Sequence, residues 1–270
     1  MNKRIVVILG MGRSGTSFLA NWLHKCGVDM GENLKPADDI MNTEGFYEDM
    51  DMNVLLQGIR KKSVSLLDKF LVNCVKWTFD YNTIRTLGSI LQNKDKKKVW
   101  GWKEPATTYL WNELWVPILV ENNLFSEVLV IGAIRDFEKC VESSMRAAFL
   151  TKRTFFKKTH FIVFKNRFAN RYLKEWIICN LQIIDFIENN KQNNNWLLLD
   201  TKYLLDSSAK IHAHLVNEHG LKIQYIDPNR IYNNTIMDRK SNIEYKLDKE
   251  LMAQAHEIFE KLISLRDNQF

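Results

Sequence analysis

The feature that most restricts this 270-residue chain is the apolar run Ile5-Val6-Val7-Ile8-Leu9, which breaks at once into Gly10-Met11-Gly12-Arg13-Ser14-Gly15-Thr16-Ser17. A short run rich in β-branched residues that ends at glycine reads as a buried strand feeding a turn. Phe18, Leu19, Trp22, Leu23 and Cys26 then recur at helical spacing, and Gly27 is placed to end that helix in a left-handed conformation. The order strand, glycine loop, helix gathers successive backbone amides and the positive end of a helix dipole around one point, a geometry that binds phosphate-like anions. The loop fits the frame G-x-x-x-x-G-x-[ST], but Thr16 stands where nucleotide triphosphatases place the lysine that serves the β- and γ-phosphates. A shorter anionic group is expected, with Arg13 as a cation inside the loop. The alternative is an ordinary glycine turn, and the strand before it and amphipathic helix after it weigh against that.

The strand-then-helix order repeats. Residues 128–134 form a second apolar run of strand length, and after Arg135 and Asp136 the spacing of Cys140, Val141, Ser144 and Ala148 predicts a helix. Trp196–Leu199 is a third buried strand, followed by a helix with Ile211, Leu215 and Val216. A further apolar strand ends near Trp100, Trp102 and Lys103. Strands alternating with helices imply a parallel sheet, so the expected fold is α/β, a P-loop-like three-layer sandwich with a central parallel sheet flanked by helices. Residues 172–188 predict a packing helix, as does a C-terminal stretch with Leu247, Leu251, Ala255, Ile258, Leu262 and Leu265 on one face. Residues 189–195 hold five asparagines and read as an exposed turn. With no internal repeat or boundary, one domain over residues 1–270 is expected.

A composition of 46% hydrophobic and 26% charged residues fits a globular chain. Its apolar runs are far shorter than the ~20 residues of a membrane-spanning helix, and the run after Lys3 and Arg4 is too short for a signal-peptide core. The four cysteines, Cys26, Cys74, Cys140 and Cys179, form no CxxC pair, which predicts a reducing cytoplasm rather than a disulfide framework or zinc site. His24, His160 and the other histidines show no metal-ligand spacing, so no metal is expected. The net charge of +6 is local. Between Glu142 and Glu175 no acid occurs, while Arg146, Lys152, Arg153, Lys157, Lys158, Lys165, Arg167, Arg171 and Lys174 add nine positive charges. Subtracting those nine from +6 leaves the rest of the chain at −3. Phe149, Phe155, Phe156, Phe161, Phe164 and Phe168 are interleaved with them, which suits an acidic acceptor or an anionic membrane surface as well as a solvated helix with its rings in the core.

Four blocks in this order resemble the sulfotransferases that use 3′-phosphoadenosine 5′-phosphosulfate (PAPS), particularly bacterial members and the tyrosylprotein branch. Gly12-Arg13-Ser14-Gly15-Thr16-Ser17 is similar to that family's 5′-phosphosulfate loop. Ile134-Arg135-Asp136 followed by Ser143 resembles its 3′-phosphate block. Trp102-Lys103-Glu104-Pro105 resembles its K-D-P segment, and Asn42-Thr43-Glu44-Gly45-Phe46-Tyr47-Glu48 its N-x-x-G-[YF]-[FY]-E segment. The blocks span about half of the chain. Ala106 departs from the arginine that many bacterial relatives carry after K-D-P, and Gly12 from the usual proline or histidine. Asp238-Arg239-Lys240-Ser241 is a weak match to the loop that covers the adenine in relatives.

The resemblance implies transfer of a sulfuryl group from PAPS to an acceptor hydroxyl, with adenosine 3′,5′-bisphosphate as product. Gly12, Arg13, Ser14, Gly15, Thr16, Ser17, Arg135 and Ser143 are then the donor contacts. Lys103 stabilises charge on the leaving oxygen, and Glu48 is the general base, with Glu44, Asp49 and Asp51 as competitors. Surface roles are the alternatives: an ion pair of Arg135 with Asp136 or Glu138, a helix-bonded Ser143 and a solvated Lys103. The expected acceptor is a saccharide or glycolipid, with peptide tyrosine open, and no nucleic acid is expected. The rival reading, a nucleotide-dependent kinase or NTPase, takes Asp200 as a magnesium ligand. A helix cap is the alternative for Asp200, and a non-catalytic polyanion-binding protein is a third class.

Overall fold

A computed structural model describes residues 3–38, 44–62, 79–152, 154–232 and 242–269. Asn42, Thr43, Cys74, Arg153 and the segment 238–241 lie outside them. In chain order the elements that position the site are β1 (Arg4–Leu9), α1 (Thr16–Cys26), α2 (Met50–Lys62), α3 (Tyr81–Lys94), β2 (Val99–Lys103), α4 (Pro105–Tyr109) and α5 (Val116–Glu121). They continue with β3 (Val128–Ala133), α6 (Phe137–Leu150), α7 (Phe155–Val163), α8 (Lys165–Asn189), β4 (Trp196–Leu199), α9 (Thr201–Asn217) and α10 (Lys249–Asp267).

The strands form one parallel sheet in the order β2-β1-β3-β4. Ile5 pairs with Trp100 on one side and Val128 on the other, so β1 lies inside the sheet. Successive strand residues point to opposite faces. Ile5, Val7 and Leu9 pack into one core with Trp100, Trp102, Trp115, Phe137 and Trp176, while Val6 and Ile8 pack into the other with Trp22, Leu23, Ile131 and Ile211. Helices cover both faces, which is why these strands read as continuous apolar runs rather than alternating ones. Gln269 covers the edge of β4: its side chain accepts from the Leu198 amide at 2.7 Å and donates to the Leu198 carbonyl at 2.8 Å, as a neighbouring strand would.

The expected strands and helices are present with shifted ends. α8 begins seven residues ahead of the predicted 172, at Lys165. The C-terminal helix starts after Leu247, where Asp248 accepts the amides of Glu250 and Leu251 and so fixes the first turn. Gly27 ends α1 with φ 114° as its position predicts. Asp200 caps α9 by accepting the Tyr203 amide at 2.8 Å, and its other oxygen is bonded by Arg266.

The pairing of β1 with β2 depends on Gly101. A Cβ at this position falls 2.1 Å from the Val6 carbonyl oxygen, a backbone atom that cannot swing away. Gly101→Ala is therefore expected to lower unfolding free energy by about 1–3 kcal/mol, read from denaturant midpoints. An unchanged midpoint would show that the two strands separate without cost.

Candidate functional site

The loop after β1 is held from three sides. The Gly10 amide donates to Thr108 Oγ1 at 2.8 Å, and that hydroxyl donates back to the Gly10 carbonyl at 3.2 Å. The Ser14 amide and hydroxyl both donate to the Met11 carbonyl, which closes the turn. From beyond β3, Arg135 Nη1 donates to the Arg13 carbonyl at 3.0 Å, and Arg13 Nε donates to Ser143 Oγ at 3.0 Å. Arg135 is itself located by its carbonyl, which accepts from the Trp176 indole at 3.0 Å.

This bracing holds an unfavourable conformation. Gly15 takes φ 95° without steric penalty, but Arg13 takes φ 78°, which costs an L-residue on the order of 1–2 kcal/mol. Non-glycine residues held there concentrate at functional sites. Gly15 gives no side-chain cap to α1, and the first turn of α1 carries no acidic residue, so its amides face the loop with their dipole uncompensated by a carboxylate. Burial lowers the Arg13 guanidinium's pKa, and the charges of Arg146 and Arg135 push it in the same direction. An anion between these guanidiniums reverses that repulsion.

The loop opens on a cavity of about 940 Å³, near the upper limit of small-molecule sites. Gly12, Arg13, Thr16 and Ser17 line one wall, and Lys103, Glu104 and Glu48 another. Arg135 and Ser143 are not among its lining residues and reach the site through Arg13, while Ser144 of the same helix turn lines it. The apolar parts of Phe46, Leu56, Tyr109, Tyr172 and Ile178 enclose the remainder, with Lys152 and Glu175 among them.

Lys103 ends β2 and is 1% exposed. Its ammonium donates to Glu48 Oε1 at 2.8 Å, while Lys35 at 2.9 Å and Asn53 at 3.0 Å donate to Glu48 Oε2. Burial alone raises the Glu48 carboxyl, but Lys103 and Lys35 outweigh it and hold the group below the usual carboxylate range. Burial lowers Lys103, partly offset by Glu48. Glu104 experiences the opposite balance: burial and then the neighbouring Glu48 charge push it up to about 7. Its Oε2 caps α4 by accepting the Ala106 amide at 2.5 Å.

The competitors to Glu48 stand elsewhere. Asp49 accepts the Asp51 and Met52 amides and pairs with Lys94, which anchors the start of α2, and Glu44 and Asp51 do not line the cavity. Sequence reasoning passed over Glu104, Arg146, Lys35 and Asn53. Only Glu104 carried a signal, its place beside Lys103 in a quoted block. In sequence Arg146 belongs to the basic segment, and its closeness to Arg13 follows from the packing of α6 against the loop.

No protein-family model matches the sequence, and no curated protein matches it. Among solved structures, the chain is similar to the sulfotransferase domain from the curacin biosynthetic pathway, with 14% identity and a TM-score of 0.50 over 96% of this chain and 98% of that one. It is also similar to a sulfotransferase from Mycobacterium tuberculosis H37Rv, at 15% and 0.51 over 97% and 77%. A third likeness is to the sulfotransferase domain of the Synechococcus PCC 7002 olefin synthase, at 14% and 0.50 over 97% and 95%. The chain has the P-loop-like α/β fold that these sulfotransferases share.

Proposed function

We propose that residues 1–270 form one PAPS-dependent sulfotransferase domain that acts on a hydroxyl of a saccharide or glycolipid. The observation that carries this reading is the convergence of a strained, arginine-bearing anion loop and a buried lysine–glutamate pair on one cavity. The loop amides and Thr16 suit the 5′-phosphosulfate, while Arg135, Ser143 and Arg146 around Arg13 suit the 3′-phosphate. PAPS supplies an activated sulfuryl group with bisphosphate as leaving group. In transfer, the acceptor oxygen bonds to sulfur, the bridging S–O bond breaks, and the hydroxyl proton passes to Glu48. Lys103 serves the leaving oxygen, and positioning with electrostatics supplies most of the rate.

The Glu48–Lys103 pair links donor binding to basicity. Two lysines hold the carboxylate below its usual range, which makes it a weak base. A donor phosphate that attracts the Lys103 ammonium removes the larger part of that restraint, so Glu48 gains basicity when donor is present. The apolar walls, with Lys152 and Glu175 among them, support an amphiphilic acceptor. Buried free thiols at Cys26, Cys140 and Cys179 support a cytoplasmic setting. The kinase or NTPase reading loses its metal ligand, because Asp200 is engaged by Tyr203 and Arg266.

The reading is tested first by Arg135→Ala. Its bracing of Arg13 affects every ligand of the loop, so the diagnostic quantity is a difference. Calorimetry should show the 3′,5′-bisphosphate losing ~1.5–3 kcal/mol more than a nucleotide without the 3′-phosphate, and equal losses sink the assignment. A second test is Glu48→Gln, expected to lower turnover about 10²–10⁴-fold while donor affinity is retained or rises, because Lys103 is released from its carboxylate, assayed well below the variant's melting temperature. Retained activity would transfer the base role to Glu104.

Glu104 gives a third test, through stability alone. With a folded pKa of about 7 against an ordinary value near 4.3, the folded chain holds a proton that the unfolded chain releases between these limits. The group's stabilising contribution is therefore complete at low pH and is lost as pH rises through 7, at up to about 1.4 kcal/mol per pH unit. Glu104→Gln keeps a cap acceptor for Ala106 and should gain stability relative to the parent from pH 5 to pH 8. A constant difference over that range would show that Glu104 does not titrate there.

A further inference from the structure

The basic segment divides in the folded chain. Arg146 stands by Arg13 at the loop, and Arg171 pairs with Glu175 at 3.4 Å. What remains outside centres on α7, which is exposed over most of its length, apolar residues included. With about 3.6 residues per turn, Phe155, Phe156, Ile162 and Val163 fall on the side opposite Phe161, which is buried. They are 87%, 74%, 55% and 68% exposed. Leu150, just ahead of α7, is 48% exposed and extends the apolar surface.

With the same helical repeat Lys157 and Lys158 leave α7 about 40° and 60° to either side of Phe161, on the face away from the exposed apolar residues, and both are exposed. Lys158 Nζ stands 5.7 Å from the centroid of the Phe149 ring and Lys152 Nζ 5.7 Å from that of Phe168, and both rings pack on Phe161, so these cations lie beside the inward-facing ring cluster. From residue 143 to residue 174 the sequence contains no acid. Burial and then the charges of Arg171 and Lys157 lower the pKa of Lys152, so positive groups here lean on one another.

We propose that α7 and the turn before it form a peripheral docking surface for an anionic lipid bilayer, with Phe155, Phe156, Ile162 and Val163 entering the headgroup–acyl boundary and Lys157 and Lys158 at headgroup level. An apolar side that projects outward with lysines on the remaining face is the arrangement of helices that lie in a membrane interface. Two other occupants fit less well. A second copy docked by the same patch brings two acid-free basic segments together with no carboxylate between them, because a two-fold contact pairs a surface with itself. A nucleic acid matches the charge but finds no use for Ile162 and Val163, which can neither stack on bases nor bond phosphates.

The docking surface adjoins the cavity. Ala147, Ala148, Thr151 and Lys152, at the end of α6, line the cavity, and α7 starts three residues later. A chain seated on α7 thus holds this wall next to the lipid, which places a membrane-borne hydroxyl within reach of the site. Only that last step rests on the sulfotransferase reading.

Co-sedimentation of the full chain with vesicles tests the docking without any assay of transfer. The chain should partition onto vesicles with about one third phosphatidylserine but not onto pure phosphatidylcholine, and added salt should weaken the binding. Phe155→Ser with Phe156→Ser should lower partitioning about tenfold, and Lys157→Gln with Lys158→Gln should do the same while flattening the salt dependence. All four side chains are exposed, so both variants should melt as the parent does. The proposal is overturned by absent vesicle binding, by equal binding to both lipids, or by variants that bind as the parent does. It is overturned equally by a concentration-dependent dimer without lipid that the phenylalanine pair abolishes. Vesicle binding without sulfuryl transfer would sink the proposed function and leave the docking intact, and transfer without vesicle binding the reverse.

Discussion

The arrangement of the site follows from burial of one ammonium. Lys103 lies at the end of an apolar strand, with Trp102 behind it and Pro105 ahead, and is almost wholly removed from water. Bringing a charge there costs several kcal/mol unless a counter-charge comes with it. Glu48 is that counter-charge, and it comes from a segment 55 residues earlier in the chain. To reach Lys103, that segment must cross the end of β2. It is held there by main-chain bonds from Lys35 to Glu48 and from Met50 to Asn33, by Asn53 on the first turn of α2, and by Asp49 with Lys94. The wall of the cavity opposite the glycine loop is thus a consequence of neutralising Lys103.

The same demand explains the contrast between two adjacent carboxyls. Glu48 and Glu104 both lie near Lys103, but one ammonium cannot compensate two buried carboxylates. Glu48 receives the hydrogen bonds of Lys103 and Lys35 and stays ionised, whereas for Glu104 burial and the repulsion of Glu48 outweigh the more distant lysines and one backbone amide. Neighbouring groups driven apart in this way can hold opposite protonation states at one pH, a condition for assigning one as proton acceptor and the other as neutral donor. Any anion that draws on Lys103 shifts both together, because the three groups titrate as one network.

Strand positions were legible because both sheet faces are covered, and the runs at residues 5–9 and 128–134 are therefore apolar without interruption. The glycine loop was legible because it joins such a run to a helix with clear periodicity. Element ends were less so: the start of α8 depends on tertiary packing of Phe168 and Ala169, which the 172–188 pattern does not contain. The π-helical turn Trp111–Trp115 was not foreseen. It precedes Pro117, which has no amide to continue the α-helical ladder, and the Leu110 carbonyl accepts from both Leu114 and Trp115. Nor could the sequence divide the basic segment. Arg146 and Lys152 are six positions apart in one acid-free stretch, and only the course of α6 sets the first against the loop and the second at the cavity wall.

That division follows side-chain chemistry. The cations around the strained loop are Arg13, Arg135 and Arg146, and those on α7 are Lys157 and Lys158. A guanidinium is planar, keeps its charge when desolvated and offers donors in a fixed fork, so it can brace a carbonyl, as Arg135 braces Arg13. An ammonium on a flexible stem is strongly hydrated and adapts to charges whose positions vary. Fixed anions in a cavity call for the first kind and a fluid headgroup layer for the second. The lysine buried deepest in the site among the described residues, Lys103, is held by a carboxylate instead of by a fork of donors. Its single point of charge can pass from Glu48 to an arriving oxygen by rotation of one side chain, whereas a bidentate arginine at this position would have to break two parallel bonds to make the same exchange.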